Sequence, residues 1–518
     1  MFENLKSRLE QGKLKAMADT RLGQEFKSIF DVGGVPAYNQ FYNFGIFVWK
    51  DLYKGVYTPW HIIPVYTLNG KHSRELFRMN IPKMICSEMA GIVWGDKCSI
   101  KVNRPGFTPT DEKPIDELQL FVEDVLKKNG FYSHMQDATE KALALGGEAL
   151  KVWYEEPNER REGGIKIGYC NADQFIPTAW TNSTITEGVF ISRIAKGGYY
   201  YTRLEWHKWD GLTYVVQNDL YRSESQDILG FRYPLSSIYP QLNERTEING
   251  LERSLFSYFR VPNANNIDDD SPLGCSIYAN ALETLHGLDI TYDSLIREFR
   301  LGKSRLIVPA RSVKAFPDPV TGEMVRMFDL NDEAYEALAT ENADDLKPQM
   351  LSPSLRVNEH VDAINAQLKV LCDQIGFSSN ALSFSQQNGI RTATEVISEN
   401  SKTYKTVCNM QQAMIPALEQ LIQNILDIAV LYDVDYNGMK ITNEAEISVS
   451  FDDGIVQDRS TNINEGIQLT AAGLMSKKKF LTDTLHYTDA EAEAELKEIA
   501  EEQSIPAMTV DNLFGTTE

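Results

Sequence analysis

Two segments of the chain carry apolar residues at a regular helical spacing. They run from about Ser276 to Arg300 and from Val357 to Ile375, with an apolar side chain at every third or fourth position. This spacing places the apolar side chains on one narrow face of a helix, and such a face packs against a neighbouring helix. The predicted seam residues are Leu285, Leu288, Tyr292 and Leu295 in the first helix, and Val361, Ile364, Leu368 and Leu371 in the second.

A polar loop and a third helix follow. Gly376 is expected to end the second helix, and residues 377–392 are rich in hydroxyl and amide side chains with a single charge, Arg391. Thr392 and Glu395 form a capping-box pattern that opens a helix extending to about Tyr432. Pro416 lies inside this helix, where the missing backbone donor predicts a kink.

The rest of the chain alternates between the two classes of secondary structure. Residues 1–150 read as mostly helical, whereas residues 149–222 are rich in Val, Ile, Tyr and Trp between glycines, which predicts an antiparallel sheet of hairpins. Further predicted elements are helices at about Leu76–Val93, Pro114–Lys128, Ser133–Leu145 and Thr461–Gln503, a β unit with strands at Arg305–Val308 and Met324–Phe328, a short acidic helix at Asp332–Ala339, and a strand at Glu446–Phe451. The predicted fold class is α+β.

Composition narrows the possible functions. The chain has 518 residues, enough for two to four domains, and a formal net charge of −22. Affinity for DNA depends on Lys and Arg, so this chain is a poor candidate for gripping nucleic acid, although it could meet DNA without holding it. No run of uninterrupted apolar residues is long enough for a membrane span. The six cysteines are widely spaced, which favours a reducing compartment.

Catalytic and cofactor motifs are not found in the sequence. Gly302-Lys303-Ser304 matches the end of a phosphate-binding loop, but Arg297 stands where that loop needs glycine, so a helix C-cap is the better interpretation. Asp268-Asp269-Asp270 and Asp452-Asp453-Gly454 are interpreted as solvated turns, and His61 as a packed or capping residue. We therefore expect no catalytic residue, metal or cofactor, and no enzymatic activity.

Three blocks resemble the portal proteins of tailed phages, specifically the siphophage type found on Gram-positive hosts. They are Tyr53–Tyr57 with Trp60-His61, Arg78–Ala90, and Thr392–Val396 continuing to Lys402-Thr403-Tyr404, which is the most specific. The order of two seam helices around a small β unit, a polar loop and a long helix is also similar to that family. The resemblance covers most of the chain and is weakest in the β unit and the C-terminal tail.

The resemblance implies a portal fold with a mostly helical stem and crown, an α/β wing with an antiparallel sheet, and a small α/β clip. Its implied parts are the wing at 1–272 and 434–457, stem helices at 273–301 and 356–376, the clip at 302–355, a tunnel loop at 377–392, the long helix at 393–433, crown helices at 458–505 and a tail at 506–518. The DNA-facing loop residues would be Ser383, Ser385, Gln386, Gln387, Asn388 and Arg391. The clip residues that dock the motor or adaptor would be Pro317, Asp318, Glu323 and Arg326.

The resemblance also implies the partners. The chain would form a homo-oligomeric ring, usually of twelve subunits, at one vertex of the capsid in the virion, after assembly in the host cytoplasm. It would conduct double-stranded DNA without sequence specificity. It would contact the terminase large subunit and the head-completion or adaptor proteins. It would also contact the major capsid and scaffolding proteins and nucleate procapsid assembly. No membrane partner is implied.

Two other classes of protein remain possible on the residues alone. A DNA motor or nuclease would need a nucleotide or two-metal site, and ATP turnover would reveal it. A viral shell or adaptor subunit without a pore could use the same striped helices to close a bundle, and a monomer or small oligomer would favour that class over a ring.

Overall fold

The computed structural model describes residues 25–36, 41–67, 70–94, 98–107, 115–157, 163–309, 315–317, 322, 324–326, 335–338, 349–379, 381–382, 393–451 and 466–484, with single positions between 492 and 499. At 305–309, 315–317, 324–326, 335–338, 349–350 and 393–401 it describes the backbone alone. Residues 1–451 and 452–518 form two separate compact units.

The helices of the first unit include the three that the spacing of apolar residues predicts. The helices are α1 (Phe47–Lys54), α2 (Thr58–His61), α3 (Ile81–Trp94), α4 (Glu117–Lys128), α5 (Phe131–Leu145), α6 (Leu282–Leu301), α7 (Val357–Ile375) and α8 (Ala393–Leu431). A five-residue π-helix, Tyr42–Ile46, leads into α1. Pro82 lies in the first turn of α3, where a missing N–H does no harm.

The strands are short and numerous. In chain order they are β1 (Glu25–Phe26), β2 (Ile62–Thr67), β3 (Gly70–Glu75), β4 (Cys98–Asn103), β5 (Gly147–Glu155), β6 (Gly164–Asn171), β7 (Phe175–Thr181), β8 (Thr184–Lys196), β9 (Tyr199–Asp210), β10 (Thr213–Ser223), β11 (Gly230–Tyr233), β12 (Arg245–Ile248), β13 (Phe256–Arg260), β14 (Arg305–Pro309), β15 (Ala315–Pro317), β16 (Met324–Arg326), β17 (Tyr335–Leu338), β18 (Gln349–Leu351), β19 (Asp435–Tyr436), β20 (Met439–Lys440) and β21 (Glu446–Phe451).

The predicted antiparallel hairpins form two sheets. One has the order β1-β11-β10-β9-β8-β7 with β12 also on β10, and the other has the order β13-β5-β6. The strand predicted near residue 446, β21, returns to pair antiparallel with β4, with Val449 opposite Ile100. The chain is therefore an α+β protein in which a strand from beyond α8 completes a sheet begun near residue 98.

A buried ionic network connects the two sheets. Lys151 on β5 donates to both carboxylate oxygens of Glu205 on β9, at 2.7 and 2.8 Å. Burial opposes the charge on Glu205, but Lys151, His207 and Arg203 together hold the pKa of its carboxyl well below the ordinary value. His207 also contacts the Tyr214 hydroxyl at 2.8 Å. The Glu205 carboxylate thus has the charged and hydrogen-bonding partners that a charged group buried between two sheets requires.

Helix α8 is the central helix of the first unit. Leu418, Leu421, Ile422, Ile425 and Leu426 are fully buried within its apolar core. Its Gln411 and Gln420 side chains donate to the carbonyls of Val93 and Phe256, at 3.1 and 2.8 Å. The segment Lys402–Leu431 is long and apolar enough to cross a membrane, but 67% of its most apolar window is buried in the protein, as in a core helix.

Several predictions about local structure are wrong. Most described residues of the N-terminal region are helical, as predicted, but β2 and β3 form a hairpin there that was not predicted, and β4 joins β21. The segment predicted as an acidic helix contains strand β17, which pairs parallel with β14. Helix α4 begins only at Glu117, with Asp116 as its N-cap, so Ile115 is half exposed and not part of the buried stripe.

The second unit is described over a short part of its length. Residues 466–471 are helical, and a turn at Lys477–Lys479 begins at Ser476, whose hydroxyl accepts from the Lys479 amide. A π-helical turn, Phe480–Thr484, follows. A Cβ added at Gly466 would lie 2.5 Å from the Phe480 ring, so these two segments pack closely. Most of the predicted helix Thr461–Gln503 lies outside the described residues.

Candidate functional site

The two seam helices pack against each other within one chain. Six of the eight seam residues are buried, and Tyr292 and Val361 are partly buried. Polar contacts flank the seam: Gln367 Nε2 donates to Thr291 Oγ1 at 3.1 Å, and Arg356 Nη2 pairs with Glu298 Oε2 at 3.0 Å. Because the end of α6 meets the beginning of α7, the pair is antiparallel. Hydrogen bonds from the side chain and the backbone amide of Arg356 hold the pKa of the Glu298 carboxyl at about 2.

Gly302 ends α6 as the predicted C-cap. Its N–H donates to the Glu298 carbonyl at 2.7 Å, and a Cβ at this position would lie 2.3 Å from Leu355. Since a helix and not a strand precedes Gly302-Lys303-Ser304, the segment is not a phosphate-binding loop. The Leu355 side chain, just before α7, lies against the end of α6.

The polar loop after α7 is held at its base by α8. Gly376 caps α7 in the left-handed region, at φ +81°, and its carbonyl accepts from Thr406 Oγ1 at 2.8 Å. The Ser378 amide donates to Thr403 Oγ1 at 2.8 Å, and the Thr403 amide donates to Ser378 Oγ at 3.3 Å. Lys402 Nζ binds Asp373 Oδ1 at 2.8 Å. We name these residues, with the buried Phe377, the loop base.

The other face of α6 binds the N-terminal part of the chain through two carboxylates. Asp293 accepts hydrogen bonds from both Arg74 Nη atoms, at 2.7 and 2.5 Å, and from the Phe77 amide at 3.2 Å. Asp289 accepts from the Met79 amide at 3.2 Å and lies 3.2 Å from His61 Nε2. Burial raises the pKa of Asp289, whereas at Asp293 the hydrogen bonds of Arg74 outweigh burial and lower the pKa.

The three sequence blocks singled out above lie at these contacts. In the first, Trp60 stacks on His286 of α6 with ring centroids 4.8 Å apart, and His61 is a packed residue, as predicted. In the second, Met79 supplies the amide that binds Asp289. In the third, Lys402 and Thr403 belong to the loop base. The blocks therefore hold α6 and the start of the polar loop within the fold.

Sequence reasoning missed the carboxylates of α6 and their partners. The spacing of apolar residues predicts only the buried face of this helix and assigns no contact to Asp289 or Asp293. Their four-residue spacing places both on one side of α6, which is the signal that could have indicated a polar contact face. Arg74 lies in the unpredicted hairpin, so its contact with Asp293 depends on a fold that the pattern does not reveal.

The pKa of Asp293 predicts a pH dependence of stability. Because its folded pKa lies below the unfolded value, the ion pair with Arg74 stabilises the fold above that value and is lost as pH falls through the folded pKa. Asp293→Asn should lower the free energy of unfolding by about 1–3 kcal/mol at neutral pH. In denaturant melts, the difference from the native chain should shrink as the pH falls below the ordinary pKa of an aspartate and through the lowered pKa of Asp293.

A matched variant tests the assignment of that effect. Glu283→Gln removes an exposed carboxylate from the same helix and should leave the denaturation midpoint nearly unchanged at every pH. If Asp293→Asn lowered the free energy of unfolding equally at every pH, the charge of the carboxylate would not be the source of the stabilisation.

Several predicted site residues lie outside the described residues. They are the loop residues Ser383, Ser385, Gln386, Gln387, Asn388 and Arg391, the cap residue Thr392, and the clip residues Asp318 and Glu323. Pro317 and Arg326 end the two strands of the β15–β16 hairpin, and Pro317 pairs with Met324. Helix α8 continues through Pro416 to Leu431, so the proline does not end it, and the predicted kink stays a prediction.

Comparison with known families decides the identity of the chain. The family model described as phage portal protein, SPP1 Gp6-like, matches residues 46–505, which include both seam helices, the loop base and the long helix. The chain belongs to the phage portal proteins. This confirms the resemblance to tailed-phage portals found in the sequence. A comparison with curated proteins found no match.

Membership of the family gives the function in general terms. This portal protein is a structural component of the phage virion at a capsid vertex, and it acts in DNA packaging. Portals form homo-oligomeric rings whose general partners are the capsid, DNA and the terminase. Within the described part of this portal, no group of three or more His, Cys, Asp or Glu side chains is arranged to hold a metal ion.

Proposed function

We propose that residues 377–392 line the narrowest part of the portal ring and contact DNA during packaging. The observation that carries this proposal is the loop base, where Thr403 and Thr406 of α8 bind Ser378 and Gly376 at the start of the loop. A loop that is anchored to α8 where it leaves α7 can bear force from moving DNA without separating the two helices.

The charges of the portal favour a loop that slides along DNA and does not bind it tightly. The loop residues Ser383, Ser385, Gln386, Gln387 and Asn388 are polar and neutral, and Arg391 is the one charged residue from 377 to 392. Hydroxyl and amide groups can touch phosphates without the strong attraction of clustered lysines. A formal charge of −22 on each subunit also repels the phosphate backbone.

The remaining parts of the portal follow the same proposal. The wing comprises 1–272 and 434–457, and the pairing of β4 with β21 supports this grouping of distant segments. Helices α6 and α7 form the stem, and the strands between them, from β14 to β18, form the clip that docks the terminase large subunit and later the head-completion or adaptor proteins. Residues 458–505 form the crown, and Pro416 bends the helix behind the tunnel loop.

The proposal extends to the assembled particle. Twelve subunits form the ring, which is assembled in the host cytoplasm with the major capsid and scaffolding proteins. The phage is a siphophage of a Gram-positive host. The portal itself is not an enzyme, and the purified chain should show no ATP turnover above that of a buffer control. Measurable hydrolysis by the chain would contradict a purely structural role.

Deletion of Ser385–Asn388 tests the role of the loop. The shortened loop should impair packaging or retention of DNA, while rings of normal size still appear in negative-stain images, because the loop base is left intact. DNA per particle, measured after nuclease treatment, gives the readout. Replacing the same four residues with four alanines keeps the loop length and isolates the contribution of polar side chains. Unchanged packaging by the deletion variant would refute the proposal.

A further inference from the structure

The stem leaves one face of each helix exposed. On α6, Glu283, Ile290 and Arg297 are exposed and recur at seven-residue intervals, so they share one face. On α7, the exposed face includes Glu359, Asp362 and Val370. Ile290 and Val370 are 47% and 51% exposed, which is unusual for β-branched residues in the middle of long helices. Each face thus has an apolar centre beside charged residues.

The two exposed faces point away from each other. Ile290 and Arg297 each lie two positions after a buried seam residue of α6, and Val370 lies two positions after Leu368 of α7. Two residues correspond to a rotation of roughly 200° around a helix, so each exposed side chain is on the side opposite the seam. The pair therefore presents two different surfaces on opposite sides, and no single subunit can bring Ile290 to Val370.

The two surfaces complement each other along the stem. The contacts of Thr291 with Gln367 and of Glu298 with Arg356 show that Ile290 and Val370 are at nearly the same height. Arg297, near Glu298, is at the height of the first turns of α7. Those turns carry Glu359 and Asp362. A neighbouring copy at the same height would therefore place an apolar residue against another and a guanidinium against two carboxylates.

Near the other end of the stem, Glu283 of α6 is at about the height of Asp373 of α7. Two bare carboxylates would repel each other across a subunit boundary. Asp373, however, is already paired with Lys402 at 2.8 Å. The compensation of Asp373 within its own chain lets a second copy approach this end of the stem.

We propose that α6 of one subunit packs against α7 of the next, with Ile290 on Val370 and Arg297 on Glu359 and Asp362. This inference rests on the ring of the proposed function and names the surface through which the ring closes. A contact between two different faces is repeated head to tail, and such contacts close into a ring when the rotation between subunits allows it.

Cross-linking between introduced cysteines tests the contact. Ile290→Cys with Val370→Cys, treated in assembled rings with a short bis-maleimide, should give a ladder of covalent oligomers on denaturing gels. Either cysteine alone should give no ladder, because each contact joins two different positions. The native chain, whose cysteines at 86, 275 and 372 are buried, provides the background.

Charge reversal provides an independent arm. Arg297→Glu should lower the yield of rings several-fold by facing Glu359 and Asp362, and combining it with Asp362→Arg should restore rings. The melting temperature of the unassembled subunit should fall only slightly, because both side chains are exposed and Arg297 is a minor contributor to the charge environment of Asp293. Salt should reduce the defect, since these charges are solvent-accessible before assembly.

These experiments distinguish the α6–α7 contact from the ring that it would close. A ladder found only with both cysteines, together with rescue by the reciprocal reversal, supports the α6–α7 contact. Normal rings without a ladder, or without any effect of Arg297→Glu, overturn that contact and leave the ring itself intact. Failure of the native chain to form rings alone or with its assembly partners overturns the ring, and the contact with it.

Discussion

Leu368→Asp should prevent the portal from folding or assembling. Leu368 is 3% exposed and lies in the seam between α7 and α6, where Leu285, Leu288 and Leu371 are also buried. Removing the leucine side chain from such a site costs about 2–5 kcal/mol, and an unpaired buried carboxylate adds to that cost. The sum is comparable to the whole stability of a typical domain, about 5–15 kcal/mol. Soluble yield, thermal melting and negative-stain imaging measure the effect.

The control places the same charge on the same helix at an exposed position. Asn358→Asp lies in the first turn of α7, where a carboxylate is favoured by the helix dipole, and should give normal rings. Normal rings from Leu368→Asp would refute the buried seam. Loss of rings in both variants would show that added negative charge on the stem, and not burial, disrupts assembly.

The boundaries of the two stem helices were predicted from the sequence with different accuracy. Val357–Ile375 is predicted to the residue, because an apolar stripe begins at one end and Gly376 stops the helix at the other. The helix predicted from Ser276 begins only at Leu282. Ser276–Tyr278 are buried instead, and the Ile277 amide donates to the carbonyl of Leu143, at 2.9 Å. A distant partner determines that boundary, and periodicity does not reveal it.

The predicted acidic helix fails for a related reason. Tyr335-Glu336-Ala337-Leu338 consists mainly of good helix formers, yet its backbone pairs in parallel with Arg305–Pro309, about thirty residues earlier. Non-local pairing overrides local propensity. In contrast, Ile62–Thr67 is rich in β-branched residues, so the β2–β3 hairpin could have been predicted from its composition.

In the candidate site, too, the sequence predicts some contacts and not others. The seam residues follow from spacing, because helical periodicity specifies which side chains share a face. The loop base does not follow from spacing. Ser378 and Thr403 are 25 residues apart, and they meet only because the chain returns in α8 to the end of α7. Small polar side chains such as these are common in loops and give no sequence signal of their pairing. Their importance becomes visible only in the fold.

Gly376→Ala should destabilise the loop base and reduce DNA packaging. At φ +81° an alanine pays a conformational penalty of about 1–2 kcal/mol, and its Cβ would lie 2.5 Å from Thr406 Oγ1. Relief of this collision displaces Thr406 from the Gly376 carbonyl, which removes a hydrogen bond contributing about 1 kcal/mol. The expected loss in free energy of unfolding is about 2–4 kcal/mol, measured by denaturant titration.

The variant Gly438→Ala is the control that distinguishes the cost of the backbone conformation from the collision with Thr406. Gly438 has nearly the same φ, +84°, but its added Cβ would meet nothing within 4 Å, so only the conformational penalty applies. The double variant Gly376→Ala with Thr406→Ala removes the colliding hydroxyl and should recover part of the loss, as expected for two residues in contact. Equal effects of the two glycine variants, or strict additivity in the double variant, would mean that Thr406 does not hold the base of the loop.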